Sequence, residues 1–397
     1  MVPKIDKEIG ILDYSTSFPG IGGSIKNKQE DFIVSETLRK KSLEKINQDS
    51  GYAVYLLRKQ GIDTNHALKQ ISHKSGLKLK ALGLKDAHAV TEQYVCAINK
   101  SKSTDEFSSE KFSIKRIGFT HKPLSKKDMI GNRFEIKITD NNDDPSKFSE
   151  YAEILNYFGY QRFGSKRPVS HLIGRALIKR DFDLAVDLLL SFTSEYDSSP
   201  NSEIRKKLSD KSNYSKLFDK IPKQMDLERI VLSDMIKNDD AKSAFQALPI
   251  TMRRFFVQAY QSFLFNLTLS RVLYDKTILD CKDGDVCFDE DGNLGKFSGK
   301  QTQKLAIPLV GYSYYKKTRF DEQISKILND EEISPKDFFI KEMQEISSEG
   351  GFRNAMIDCK DIEVGGNVVK FTLSRGSFAT IVMREIMKPN DPLNAGF

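Results

Sequence analysis

The chain has 397 residues, of which 39% are hydrophobic and 29% charged, and its 62 Lys and Arg against 55 Asp and Glu leave a net charge of +7. At about 100 to 200 residues per domain, this length predicts two or three compact units, and the apolar content excludes a chain disordered throughout. No run approaches the roughly 18 apolar residues of a membrane span, and the residues after Met1 lack the basic-flanked apolar run of a leader, so a soluble, intracellular, cytoplasmic protein is expected.

Residues 32–34, 52–57, 93–98 and 133–138 read as strands; in the last, Phe134, Ile136 and Ile138 alternate with charged residues, which means one buried sheet face. Between the second and third, Thr64 can cap a helix carrying Ala67, Leu68 and Ile71 on one side, and Gly76 stops it. Polar punctuation follows at 101–111 and at 139–147. A helix is expected to begin near Tyr151, and the stretch 194–216 reads as a solvated connection. Residues 184–190 are strongly apolar, and Phe256, Tyr260, Phe263 and Leu267 fall on one helical stripe. Residues 362–364 and 368–373 flank Gly365-Gly366-Asn367, which suits a hairpin. Strands, then helices, then strands again is the pattern of a discontinuous domain interrupted by an insertion.

Several chemistries are disfavoured. Cys96, Cys281, Cys287 and Cys359 form no Cys-x-x-Cys pair, and the five His are dispersed, so no metal is expected. The stretch 292–302 has three residues between Gly295 and Gly299 instead of four, and Gln301 where a phosphate-binding loop needs a hydroxyl. Gly20-Ile21-Gly22-Gly23 lacks a third Gly at the needed spacing, and the preceding strand, of a dinucleotide fold. The net charge has the sign that polyanion binders need, although ordinary solvated surface accounts for it equally well.

Four segments matter together: 26–36 (KNKQEDFIVSE), 83–97 (GLKDAHAVTEQYVCA), 156–164 (NYFGYQRFG) and 374–385 (SRGSFATIVMRE). In the second, Asp86 follows a Gly in a loop between two strand candidates, where an acid could reach a substrate; a turn Asp bonding its own backbone is the commoner fate of such a residue. In the third, Phe158 offers an aromatic face that can replace lost base stacking, Asn156 a fixed amide, and Arg162 a fork for phosphate or carboxylate. Core packing is the simpler account of Phe158 and Phe163. In the fourth, a turn enters a helix whose free N–H groups could meet a phosphate, or the segment simply packs the hairpin onto the sheet.

In content and order these blocks closely resemble the TruD family of tRNA pseudouridine(13) synthases, with 261–266 (QSFLFN) as a further block, and the insertion resembles in length the archaeal and eukaryotic members. The resemblance implies an α+β fold: a mixed, largely antiparallel sheet with helices, plus an inserted α-rich TRUD domain forming a cleft. It places the catalytic domain at 1–165 and 346–397 and the insertion at 166–345. It implies Asp86 as the catalytic carboxylate, with Lys26, Asn156, Phe158 and Arg162 in the active site. Lys85, His88, Gln161 and Arg375 are further candidates for RNA contact. The expected partner is tRNA lying across the cleft with lysines of both domains on its phosphates; neither cofactor nor metal nor obligate protein partner is expected. Gln29 and Arg375 depart from the family pattern, where Pro, and Pro or Ala, are usual. The rival readings are a non-catalytic RNA-binding or chaperone protein, a synthase acting mainly on other RNAs, and an RNA N-glycosidase.

Overall fold

The computed structural model describes residues 2–46, 49–85, 87, 89–100, 103–277, 279–315, 318–359 and 361–397. Two positions of the proposed catalytic loop, Asp86 and His88, lie outside them.

The alternating residues of the first third form strands β1 (Phe32–Leu38), β2 (Tyr52–Lys59), β3 (Leu79–Ala81), β4 (Val90–Ala97), β5 (Glu106–Ser109), β6 (Phe112–Thr120) and β7 (Met129–Lys137). In β1 the period-two pattern buries Phe32, Val34 and Leu38 and also Glu36, a polar residue that returns below. Helix α1 (Thr64–Ser75) packs beneath, its Ala67 and Ile71 fully buried, and Gly76 ends it in the left-handed conformation. Asp63, not Thr64, caps it: the Asp63 side chain accepts from the backbone N–H groups of Asn65 and His66. The hydroxyl of Thr64 is used elsewhere, as described below.

The middle of the chain supplies helices α2 (Ser170–Ile178), α3 (Phe182–Ser191), α4 (Ser199–Leu208), α5 (Asp226–Asn238), α6 (Ala241–Gln246), α7 (Ile250–Tyr274) and α8 (Asp321–Asp330). The stretch expected to be a solvated connection holds α4 instead, because Leu208 and Tyr214 are buried and Arg205, only 5% exposed, bonds Glu228 at 2.7 Å. No helix starts near Tyr151; residues 153–155 form a short strand antiparallel to 356–358, and a single 3₁₀ turn follows at Tyr160–Arg162. The helical region also carries a small sheet, unforeseen from the sequence, built from β8 (Val286–Phe288), β9 (Leu294–Lys296) and β10 (Lys304–Leu309). Strand β11 (Gly351–Asn354) pairs antiparallel with β10.

The chain end returns as the expected hairpin, β12 (Glu363–Gly365) and β13 (Val368–Ser374), then helix α9 (Ala379–Met387). β13 pairs with β7 over seven residues, Val368 opposite Lys137 through Ser374 opposite Gly131, so both ends of the chain share one sheet. Among the described residues its order is β12-β13-β7-β1-β4-β2-β6-β5, with β3 also on β4. All pairs are antiparallel except β1 with β4. That parallel pair covers only 90–92, while β3 takes 95–97 on β4. Gly83 and Lys85, in the segment that follows β3, therefore lie beside Glu36 of β1. The fold is α+β, with a largely antiparallel sheet and no barrel.

His171 lies in the core between Phe163 and Phe263, at ring distances of 5.3 and 5.0 Å. Desolvation pushes its pKa down to about 4. The unfolded chain therefore takes up this proton first as pH falls below about 6.5, and stability present above that value is lost on the way down to the folded pKa. Between pH 7 and 5 the wild type is expected to lose roughly 2 kcal/mol more than His171→Phe. Urea unfolding of both proteins at the two pH values measures this, and parallel losses would refute it.

Candidate active site

The loop between β3 and β4 is held from below by polar side chains that the fold has buried. Gln93 Nε2 donates to the Gly83 carbonyl at 2.9 Å, and Thr64 Oγ1 accepts from Lys85 N at 2.9 Å while donating to Gln93 Oε1 at 2.8 Å. Lys59, 1% exposed, donates from Nζ to the carbonyls of Ile62 and Lys85 at 2.9 and 3.1 Å. Gly61 N closes the far side on the Ala87 carbonyl at 3.2 Å. The backbone of Gly83, Lys85 and Ala87 is thus held by partners outside this segment.

Lys85 turns inward. Its Nζ meets Glu36 Oε1 at 2.6 Å, with the two side chains only 9% and 0% exposed, and Glu36 Oε2 accepts from Tyr94 N. A Cβ at position 83 would stand 3.1 Å from Glu36 Oε1 and 3.3 Å from Lys85 Nζ, so Gly83 makes room for this pair. Lys26 sits in the left-handed backbone region, at φ +60°, with Nζ 4.8 Å from the centre of the Phe32 ring. Its loop is tied to the sheet by Asn27 Nδ2 on Thr139 Oγ1 at 2.6 Å. Gln29 opens the 3₁₀ turn Gln29–Asp31, a first-turn position that also suits the usual Pro.

The third block forms the wall of a cleft of about 1150 Å³, lined among others by Asn156, Phe158, Met129 and Arg353. Met129 links the cleft to the loop, since its sulfur lies 3.8 Å from the Cβ position of residue 83. Phe158 is held at its backbone by Asn266, which accepts from Phe158 N at 2.8 Å and donates to its carbonyl at 3.1 Å. Gln261 ties α7 to the turn after β10 through the Val310 carbonyl at 2.6 Å. These two residues give the QSFLFN block its physical content. Gly159 allows the chain to press against the start of α9, where a Cβ would meet Thr380 Oγ1 at 2.8 Å. Gln161 accepts from that same hydroxyl at 3.2 Å.

Phe158 is 6% exposed and packs edge-on to Phe265 and Phe378, with the guanidinium of Arg353 3.9 Å from its ring centre and that of Arg162 at 5.5 Å. No carboxylate among the described residues pairs with either arginine, and Arg162 Nε has no hydrogen-bond partner there. Desolvation lowers the proton affinity of both, and in Arg353 the neighbouring Arg162 charge adds to it. Sequence reasoning missed Arg353 and Phe378 as parts of this cluster. Arg353 lies in none of the blocks, and only its tertiary neighbours reveal it.

At the cleft mouth Arg39 reaches across to the loop joining β8 and β9, donating to Asp291 Oδ1 at 3.0 Å and to its carbonyl at 2.9 Å. Arg375 also lines the cleft and donates to the Lys126 carbonyl at 2.7 Å. The lining is mixed in charge: Asp289, Glu290 and Asp291 come from the β8–β9 region, while Arg39 and Arg375 come from strand ends of the large sheet. Where lysines of both domains are expected, the lysines lining the cleft are Lys300 and Lys304, both in the 166–345 region, and the large sheet contributes arginines. Asn156, Phe158, Arg162 and Arg353 come together here, Lys26 lies beside Phe32, and Lys85 belongs to the loop scaffold.

Cys281 and Cys287, far from any sequence pairing rule, have sulfurs 3.3 Å apart, and no group of three or more metal-ligating side chains occurs among the described residues. No described helix is long and apolar enough to cross a membrane.

Comparison with known proteins gives a consistent result. The family model described as tRNA pseudouridine synthase D (TruD) matches residues 8–386. A probable tRNA pseudouridine synthase D of Pyrobaculum islandicum is 30% identical, with 100% of this chain and 99% of the relative covered. One of Thermococcus onnurineus is 32% identical, covering 94% and 97%. A crystal structure of the putative tRNA pseudouridine synthase D from Methanosarcina mazei superposes with a TM-score of 0.81 at 27% identity, covering 99% of each chain.

Proposed function

This chain belongs to the tRNA pseudouridine synthase D (TruD) family, and we propose that it isomerises a uridine of tRNA, at position 13, to pseudouridine with Asp86 as its catalytic carboxylate. The reaction breaks the N1–C1′ bond, turns the base and joins C5 to the same C1′. The C5 proton is released to water, and nothing is oxidised or hydrolysed. The carboxylate either adds to C1′, as glycosidase carboxylates do, or removes a sugar proton to assist elimination.

The observation that carries this reading is the family match over nearly the whole chain, joined to a cleft lined by Asn156, Phe158 and Met129, whose sulfur lies 3.8 Å from the Cβ position of residue 83. The catalytic part comprises 1–165 and 346–397, in line with the strands both ends contribute to one sheet, and 166–345 is the insertion facing it across the cleft. No cofactor or metal enters the scheme, and the protein works in the cytoplasm. The test is tritium release from tRNA labelled at C5 of uridine, with the product identified as pseudouridine. Free uracil in place of pseudouridine would make the protein an N-glycosidase, and binding with neither product would make it an RNA-binding protein.

Phosphate contacts should come from Arg375 on the large-sheet side and from Lys300 and Lys304 on the other, away from Asp289, Glu290 and Asp291. Affinity for tRNA is expected to fall with salt at a log–log slope steeper than about −3, the signature of at least about four phosphate contacts. A filter-binding titration between 50 and 300 mM KCl (a span of about sixfold) reads the slope. A flat line would remove the electrostatic part of the reading.

A further inference from the structure

Arg353 carries an arrangement that the catalytic reading does not use. Its Nε donates to the Asn156 carbonyl at 3.1 Å, Nη2 to Asn156 Oδ1 at 2.8 Å and to the Tyr157 carbonyl at 3.4 Å, and Nη1 to the Gly376 carbonyl at 2.8 Å. The Cζ of the same guanidinium lies over the Phe158 ring, 3.9 Å from its centre. One side chain from β11 thus joins the third block to the turn of the fourth.

The consequence falls on the Asn156 amide. A guanidinium has only donors, so the atom of Asn156 that faces Arg353 must be oxygen, and the amide cannot flip without setting N–H against N–H. The nitrogen is then placed on the other side, where one Nδ2 hydrogen is taken by the Asn354 carbonyl at 3.0 Å. Among the described residues the second Nδ2 hydrogen has no partner, and Asn156 lines the cleft.

We propose that Arg353 is a positioning residue for base selection: by clamping Oδ1 of Asn156 it makes this amide a hydrogen-bond donor toward the cleft, which accepts a base edge bearing a carbonyl oxygen and rejects one bearing an exocyclic amino group. Uracil presents carbonyls at both positions flanking N3, whereas cytosine carries an amino group at C4. The cation–π contact of the guanidinium with Phe158 keeps the aromatic ring and the amide in fixed relation. The inference rests on the proposed uridine reading, with Asn156 at the target base.

The experiment measures equilibrium binding of tRNA transcripts with uridine or cytidine at the target position to the wild type, Asn156→Ala, Arg353→Met, Arg353→Lys and the Asn156→Ala/Arg353→Met double variant. Fold is checked by circular dichroism, and tritium release is recorded in parallel. The wild type is expected to prefer the uridine transcript at least about tenfold, a value in the range of one base-edge contact. Each single variant should reduce the preference below about threefold, with the double variant no worse than either single one. Arg353→Lys keeps the charge and the packing stem but loses the fork, so it should fail to select even if Arg353→Met does not fold. Wild-type selection retained by Arg353→Lys, additive losses in the double variant, or no preference in the wild type would each overturn the proposal. Preference without tritium release would instead overturn the isomerase reading and leave the clamp standing.

Discussion

Asp86→Asn is expected to lower tritium release from C5-labelled tRNA by at least about 10³-fold while tRNA affinity changes by less than about threefold. An amide has nearly the shape of a carboxylate but neither adds to C1′ nor takes a proton, so on either route the chemical step loses its reactive group. The backbone of Gly83 and Lys85 is secured by Lys59, Thr64 and Gln93, which the substitution leaves in place. The loss is therefore expected in single-turnover rate rather than in binding or in melting temperature. Release surviving at more than about a tenth of the wild-type rate would remove Asp86 from the mechanism, and an equal collapse of binding would assign it a structural role.

Arg384→Met is expected to destabilise the protein by about 4 kcal/mol, a large part of the margin on which a folded chain of this kind rests. Arg384 is fully buried beside two fully buried carboxylates, with Nε 2.6 Å from Asp6 Oδ2 and Nη1 2.8 Å from Glu385 Oε1. Glu385 also accepts from the backbone N–H groups of Ser15 and Thr16, and Tyr160 donates to Asp6 at 2.7 Å. Desolvation works against the charge on Arg384, but Asp6 and Glu385 outweigh it and raise its proton affinity. Removing the cation leaves two carboxylates without compensation in a medium where each is costly to hold. Because this cluster ties the first residues to α9 and to the third block, the loss should appear as a lower urea midpoint and as weaker activity together. A change below about 1 kcal/mol would mean that water or a rearranged lysine replaces the guanidinium.

Much of the architecture is written in local patterns. Alternation at Phe134, Ile136 and Ile138, the apolar stripe of α7 and the Gly-Gly-Asn turn of the β12–β13 hairpin each follow from the period of side chains along a strand or helix. The composition of residues 194–216 misled, because α4 buries only Arg205 and Leu208, and an ion-paired arginine reads as polar surface. The family blocks marked Asn156, Phe158 and Arg162 as belonging together; they are close in sequence, so their grouping needed no fold. What the chain as a string does not display is contact between distant positions. Lys85 is paired with Glu36 rather than facing solvent, Thr64 supports the loop rather than capping α1, and Arg353, 197 residues from Asn156, sets that amide's orientation. Each depends on which strand edges meet, and that is decided when both chain ends condense into one sheet and bury polar groups that must then find partners.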